Sequence, residues 1–100
     1  MGISISHGVP FTRSATTIAN LGQHLAHTLT GSEWQEAAYL FDGHLYTPIS
    51  TPPAQAGRIA VLLMKAASSR AMDPEWAQLA VLLGGAANRA SKADQNWVWD

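Results

Sequence analysis

Two histidines, His24 and His27, lie three residues apart in a segment with helical periodicity. Imidazole nitrogens at this spacing can bind one metal ion if a carboxylate or a third histidine approaches them. With Leu25 at the centre of the apolar arc, His24 lies about 100° to one side and His27 nearly opposite Leu25, given the rotation per residue of a helix. We therefore expect two histidines that are solvated or lie at the rim of the core, with no metal ion or other cofactor, and a metal site is the less favoured alternative.

A carboxylate and an imidazole lie two residues apart at Asp42 and His44. Such a pair performs general acid-base catalysis when it is held within hydrogen-bond distance. The intervening Gly43 favours a structural explanation, because Asp-Gly is typical of the type I′ turn of a β-hairpin. That hairpin would put Tyr46 on the same face as His44. Our favoured interpretation is that Asp42 is a turn residue. The alternative is a candidate ligand-binding face that comprises Asp42, His44 and Tyr46 together with His24.

The composition argues against several other functions. The chain has no cysteine, which excludes disulfides and thiolate sites. Its formal net charge of -1 provides no positive field for a nucleic-acid backbone. It has neither a secretory signal at its start nor the ~18 consecutive apolar residues of a membrane span. We expect a cytoplasmic protein that binds neither nucleic acid nor membranes.

Two adjacent glycines, Gly84 and Gly85, lie inside a helical pattern between leucine and alanine. A phosphate-binding loop would instead follow a strand and precede Lys-Ser or Lys-Thr. Within a helix the two glycines cost roughly 2 kcal/mol relative to alanine. This cost indicates a close backbone approach or a kink.

The first half of the chain shows strand periodicity and then helix periodicity. Residues 3–6 alternate apolar and polar side chains, which predicts a short half-buried strand. From Thr12 or Ser14 to about Leu29 the apolar spacing predicts an amphipathic helix that ends near Gly31.

Residues 32–50 allow two interpretations. Ser32 to Gln35 fits a capping box that starts a helix, whereas the Asp-Gly pair predicts a hairpin. We favour a helical turn followed by a hairpin with residues 38–41 as its first strand, and leave open whether residues 32–41 are helix or strand.

A near-repeat dominates the second half: IAVLL at residues 59–63 returns as LAVLL at residues 79–83. The pairs Thr51-Pro52 and Asp73-Pro74 are each typical of a helix N-cap and first helical position. We predict one helix from Pro52 to about residue 70 and another from Pro74 to about residue 90 or 92. Their short connection predicts an antiparallel αα-hairpin.

Six apolar residues are candidate interface residues. Four of them point away from the stripes along which the hairpin helices pack, so the sheet, the first helix or a second subunit must cover them. Trp97 and Trp99 lie two apart in a terminal run typical of a strand, where a core or sheet-face role is favoured over a binding surface. The full set is Val61, Met64, Val81, Leu82, Trp97 and Trp99.

We predict a single α+β domain over residues 1–100. Three helices, including the antiparallel αα-hairpin, pack on a small antiparallel sheet. The amino-terminal strand, the hairpin at Asp42-Gly43 and residues 97–99 form that sheet.

Three stretches carry a resemblance to a known type of protein. Residues 21–27, residues 52–60 and the terminal Trp-Val-Trp resemble small uncharacterised proteins of an alanine-rich, actinobacterial type. The resemblance covers most of the chain and implies no activity and no functional residue.

Only 13% of the residues are charged, and a weakly charged surface favours self-association. We expect a non-enzymatic protein-interaction module of unknown pathway that binds itself, as a homodimer, or another protein. One alternative is a small-ligand binding protein or minor enzyme that uses the aromatic and histidine face. Another is an immunity, antitoxin or phage-related inhibitor protein, with which the size is compatible.

Overall fold

The computed structural model describes residues 2–8, 13–41 and 48–100 of the chain. Within these residues the fold is α+β and mostly helical, with four helices where the sequence predicts three. The helices are α1 (Ala15–Thr28), α2 (Gly31–Ala37), α3 (Pro53–Ala67) and α4 (Pro74–Lys92). The strands are β1 (Gly2–Ile3), β2 (Arg13–Ser14), β3 (Ile49–Thr51) and β4 (Trp97–Trp99).

Helix α1 confirms the predicted amphipathic helix. Ser14 is its N-cap, and its Oγ accepts a hydrogen bond from the Thr17 N–H at 3.1 Å. The helix ends at Thr28, so Gly31 is not its terminator but the first residue of α2. The predicted apolar arc is buried throughout: Ile18, Leu21, Gly22, Leu25 and Leu29.

Helix α2 begins two residues earlier than a capping box at Ser32 would place it. Thr30 Oγ1 accepts from the Glu33 N–H at 3.3 Å, and Glu33 Oε1 accepts from the Thr30 N–H at 3.0 Å. The Thr-x-x-Glu pattern therefore satisfies two backbone donors and caps the helix.

The chain continues from α2 into a 3-10 turn at Ala38–Leu40. The prediction that residues 38–41 form a hairpin strand is therefore wrong. Continued helical winding buries Ala37, Leu40 and Phe41 on one side, a spacing that a strand would divide between two faces. The predicted Asp42-Gly43 turn, like His44 and Tyr46, lies outside the described residues.

Helices α3 and α4 form the predicted antiparallel hairpin, and their mutual contact is the most extensive in the fold. Helix α3 starts at Pro53, one residue later than predicted. Thr51 is buried, and its Oγ1 shares a 2.7 Å hydrogen bond with the Tyr39 hydroxyl, so it is not available as a cap. Helix α4 starts at Pro74 after Asp73, as predicted.

Gly84 lies where the two hairpin helices approach each other closely. A Cβ on Gly84 would lie 3.3 Å from Leu63 Cβ and 3.5 Å from the Ala60 carbonyl oxygen. Helix α4 runs through this point without a break. Of the two predicted explanations for the glycine pair, the close backbone approach is confirmed at Gly84.

The strands form two small antiparallel sheets, in which β1 pairs with β2 and β3 pairs with β4. Residues Ser4 and Asp100 exchange backbone hydrogen bonds of 3.2 and 2.7 Å, and Ile5 forms a bridge with Trp99. The two chain termini therefore lie side by side, with β3 on the other edge of β4. Strand β3 was not among the predicted strands.

Candidate functional site

The outer face of the helical hairpin carries a patch of exposed apolar side chains. Val61 is 61% exposed, Val81 46%, and Met64 and Leu82 39% each. These four, which we call the hairpin patch, are the large apolar side chains exposed within the described part of the chain. They are also the four that the sequence predicts to point away from the packing stripes.

The two halves of the hairpin patch adjoin each other across the helix pair. The methyl carbon of Met64 lies 3.4 Å from the position of a Cβ on Gly84. Val81 precedes Gly84 by one helical turn, so the two lie on the same side of α4. Met64 of α3 and Val81 of α4 are therefore neighbours on one continuous face.

The surface of α4 has two open hollows that meet at Gln78 and Leu82. The first hollow, of about 430 Å³, is lined entirely by α4 residues: Ala77, Gln78, Val81 and Leu82. The second, of about 300 Å³, lies between α4 and the start of α1. Its lining is partly polar and comprises Arg13, Thr17, Glu75, Trp76, Gln78, Leu79 and Leu82.

Two basic side chains of α3 are engaged by acidic side chains of α2. Arg58 donates two hydrogen bonds to Glu36, at 2.9 and 3.1 Å, and Lys65 Nζ lies 2.5 Å from Glu33 Oε2. The hydrogen bond from Lys65, and next the one from the Thr30 backbone, lower the pKa of Glu33 to about 2. The hydrogen bond from Arg58 likewise lowers the pKa of Glu36. Both of these α3 cations therefore have a counter-charge on α2.

His24 and His27 diverge, as the helical rotation predicts. His24 is partly covered by Trp76, with ring centroids 4.9 Å apart and planes inclined by 30°, whereas His27 is exposed. Across the described residues, no three histidine, aspartate or glutamate side chains cluster as metal ligands. Of the candidate ligand-binding residues, His24 is thus placed beside the second hollow through Trp76, while Asp42, His44 and Tyr46 lie outside the described residues.

Trp97 and Trp99 lie in the core rather than on the surface, with exposures of 0% and 1%. Their rings meet edge to face at a centroid distance of 5.3 Å, and Phe41 contacts Trp99 in the same way at 5.7 Å. Trp97 Nε1 donates to the Ser6 carbonyl at 3.3 Å, whereas Trp99 Nε1 has no hydrogen-bond partner among the described residues. In this conformation neither indole offers a surface to a partner.

A polar cluster at the chain termini was not anticipated from the sequence. Ser6 Oγ lies 2.7 Å from His7 Nδ1, and His7 Nε2 lies 2.8 Å from Gln95 Oε1. Arg89 Nε donates to the His7 carbonyl at 2.7 Å. His7 and Gly8 have φ angles of 67° and 107°, so both lie in the left-handed region.

The hydrogen-bonded order Ser6, His7 and Gln95 resembles the order of groups in a catalytic site with a serine nucleophile. Here, however, Ser6 Oγ also accepts the Val98 N–H at 2.9 Å, which ties it to β4. The cluster therefore fastens the amino-terminal segment to the end of α4 and to β4. The only local signal of it in the sequence is the His-Gly pair, which is typical of a turn.

Among the described residues, no helix combines the length and apolarity that crossing a membrane would need.

Comparison with known proteins identifies a family but no activity. No curated protein and no solved structure matches the chain. Residues 7–100 match the family described as a domain of unknown function, DUF7739. The chain therefore belongs to the DUF7739 family.

Proposed function

We propose that this chain is a non-enzymatic protein-interaction module that forms homodimers through the hairpin patch. The observation that carries the proposal is the exposure of Val61, Met64, Val81 and Leu82 on one continuous face of two adjacent helices. Contiguous exposed apolar surface of this kind marks sites where proteins associate.

The charges around the patch support a second copy as the partner. Arg58 and Lys65 are paired with Glu36 and Glu33 within the chain. These two ion pairs neutralise the α3 edge of the patch, so this edge can meet its own copy around a twofold axis without like-charge repulsion.

The size of the patch predicts modest affinity. Full burial of an apolar side chain of this size contributes about 1.5–3 kcal/mol, and these four are already partly covered. Association itself costs about 4–15 kcal/mol in lost freedom of motion. Because the gain from four half-covered side chains on each copy is of the same order as this cost, we expect a weak dimer that forms only at high protein concentration.

Sedimentation velocity over a wide concentration range tests this proposal. The protein should pass from the monomer mass to the dimer mass, and Val81→Glu should hold it as a monomer. Ala26→Glu is the matched control, because Ala26 is an exposed residue of α1 outside the patch. A monomer at every concentration would refute the homodimer.

A second candidate function, small-ligand binding, is favoured by one observation. The second hollow, of about 300 Å³, contains Trp76, against which His24 stacks. Aromatic side chains together with a few polar groups are typical of ligand pockets. A fragment screen by NMR should then shift the Trp76 indole signal, and Trp76→Ala should abolish the binding of those fragments. Fragments that bind equally well to Trp76→Ala would remove this candidate.

A further inference from the structure

We infer that the two subunits of the proposed homodimer contact each other along α4, and we call this contact the α4 seam. The two α4 helices cross in an antiparallel direction, and the side-chain ridges of each pack into the grooves of the other. This inference rests on the proposed function and adds to it the contacting helix, its direction and its packing class.

The first hollow has the shape that interlocking helices require. Ala77 and Val81 belong to one row of residues spaced four apart, Gln78 and Leu82 belong to the next row, and the hollow lies between the two rows. Helices that pack by inserting such a row into the matching groove of a neighbour cross at about -50°. A twofold axis presents the same row and the same groove on both copies, so α4 is complementary to itself in this packing.

Gly85 supports the same seam because, within the described residues, no neighbouring helix or strand accounts for it. A Cβ on Gly84 would meet Leu63 in α3, which explains the absence of a side chain there. Among the described residues, the atoms that a Cβ on Gly85 would meet belong to the Arg89 guanidinium of the same helix, at 3.4 Å and beyond. Gly85 continues the row of Ala77 and Val81, where a missing side chain lets a second helix approach closely.

The charges along α4 favour the second copy and the antiparallel direction. The residues of the two rows between Glu75 and Arg89 are uncharged at the surface. Glu75 and Arg89 lie seven residues before and seven residues after Leu82. If the twofold axis passes near Leu82, the acidic end of each α4 therefore lies toward the basic end of the other. Met64, beside Gly84, then contacts the flank of the partner helix.

Disulfide mapping tests the seam directly, since the natural chain has no cysteine. Val81→Cys lies next to the proposed axis, where two copies of the residue come within disulfide distance. Val61→Cys is the matched control on α3, exposed in the same patch but away from the axis. Under mild oxidation at a concentration where the wild type is dimeric, Val81→Cys should become covalently dimeric and Val61→Cys should not.

Two glycine substitutions provide an independent test by sedimentation. Gly85→Ala should raise the dissociation constant about tenfold or more, since a methyl group enters the contact between the helices. Gly31→Ala is the control, because a Cβ on Gly31 has no neighbour within 4 Å; it should leave dimerisation unchanged.

The outcomes separate the two proposals. A dimer in which Val61→Cys cross-links, Val81→Cys does not and Gly85→Ala has no effect would overturn the α4 seam and leave the homodimer intact. A wild type that stays monomeric throughout would overturn both.

Discussion

Lys65 Nζ of α3 lies 2.5 Å from the carboxylate of Glu33, the residue that also closes the capping box of α2. One carboxylate thus caps a helix and joins it to the next helix along the chain. The arrangement makes α2 sensitive to the protonation state of a single group.

Stability should therefore fall at acidic pH. The pKa of Glu33 is lowered from 4.5 to about 2, first by the hydrogen bond from Lys65. Because the pKa of Glu33 is lower in the folded state than in the unfolded state, the stabilising effect of the ionised carboxylate is present above about pH 4.5 and is lost as the pH falls toward about 2. Urea unfolding of the wild type across this window should show the decline.

Glu33→Gln should make the free energy of unfolding less dependent on pH in this window and should lower it at neutral pH. Lys65→Met should remove part of the same pH dependence. Equal slopes for the wild type and Glu33→Gln would show that this carboxylate is not responsible.

The neighbouring glycines of α4 should respond in opposite ways to alanine. Gly84→Ala forces a methyl group against the buried Leu63, so we expect a loss of about 1 kcal/mol. The methyl group of Gly85→Ala meets the flexible Arg89 guanidinium, and the substitution should stabilise the monomer by about 0.5–1 kcal/mol through helix propensity. Thermal or urea unfolding of dilute protein measures both, and a stabilised Gly84→Ala would contradict the close packing of the hairpin.

Gly22 should tolerate alanine poorly. A Cβ there would lie 2.6 Å from Phe41 Cβ, where α1 packs on the turn after α2. We expect Gly22→Ala to destabilise the fold by about 1–3 kcal/mol. Gly31→Ala, a helical glycine with open space around it, is the control and should be neutral or stabilising. Similar unfolding free energies for the two variants would argue against the Gly22–Phe41 contact.

The two buried tryptophans should differ on substitution by phenylalanine. Both changes leave a cavity of similar size, but Trp97→Phe also removes a hydrogen bond to the Ser6 carbonyl. Trp99→Phe instead removes a buried N–H that has no partner in the part of the chain that the structure describes. We expect Trp97→Phe to cost about 1 kcal/mol more than Trp99→Phe, the usual worth of one hydrogen bond. Denaturant titration of the pair measures the difference, and the reverse order would contradict the assignment of these partners.

Local periodicity was sufficient to predict the long helices and their outer face. The apolar arc of α1, the two proline-marked helices α3 and α4, and the exposure of Val61, Met64, Val81 and Leu82 all follow from the 3.6-residue repeat. That repeat assigns each residue to a side of its own helix. No knowledge of the rest of the chain is needed for this assignment.

Where two local signals competed, the sequence did not decide between them. Thr30 and Ser32 both start acceptable capping boxes, and Thr51 is an acceptable helix cap. The structure uses Thr30 for the cap and buries Thr51 against Tyr39. The residues that settled these cases, Lys65 and Tyr39, lie far along the chain from the positions they affect.

The sequence by itself thus determined that this protein has a helical hairpin with more apolar surface than the hairpin alone can bury. Only the tertiary structure decided which charges are paired, which glycine meets a neighbouring helix, and that Trp97 and Trp99 are buried in the core. The physical reason is that helical periodicity depends on residues three or four positions apart, whereas ion pairing, close packing and burial depend on segments that only the folded chain brings together.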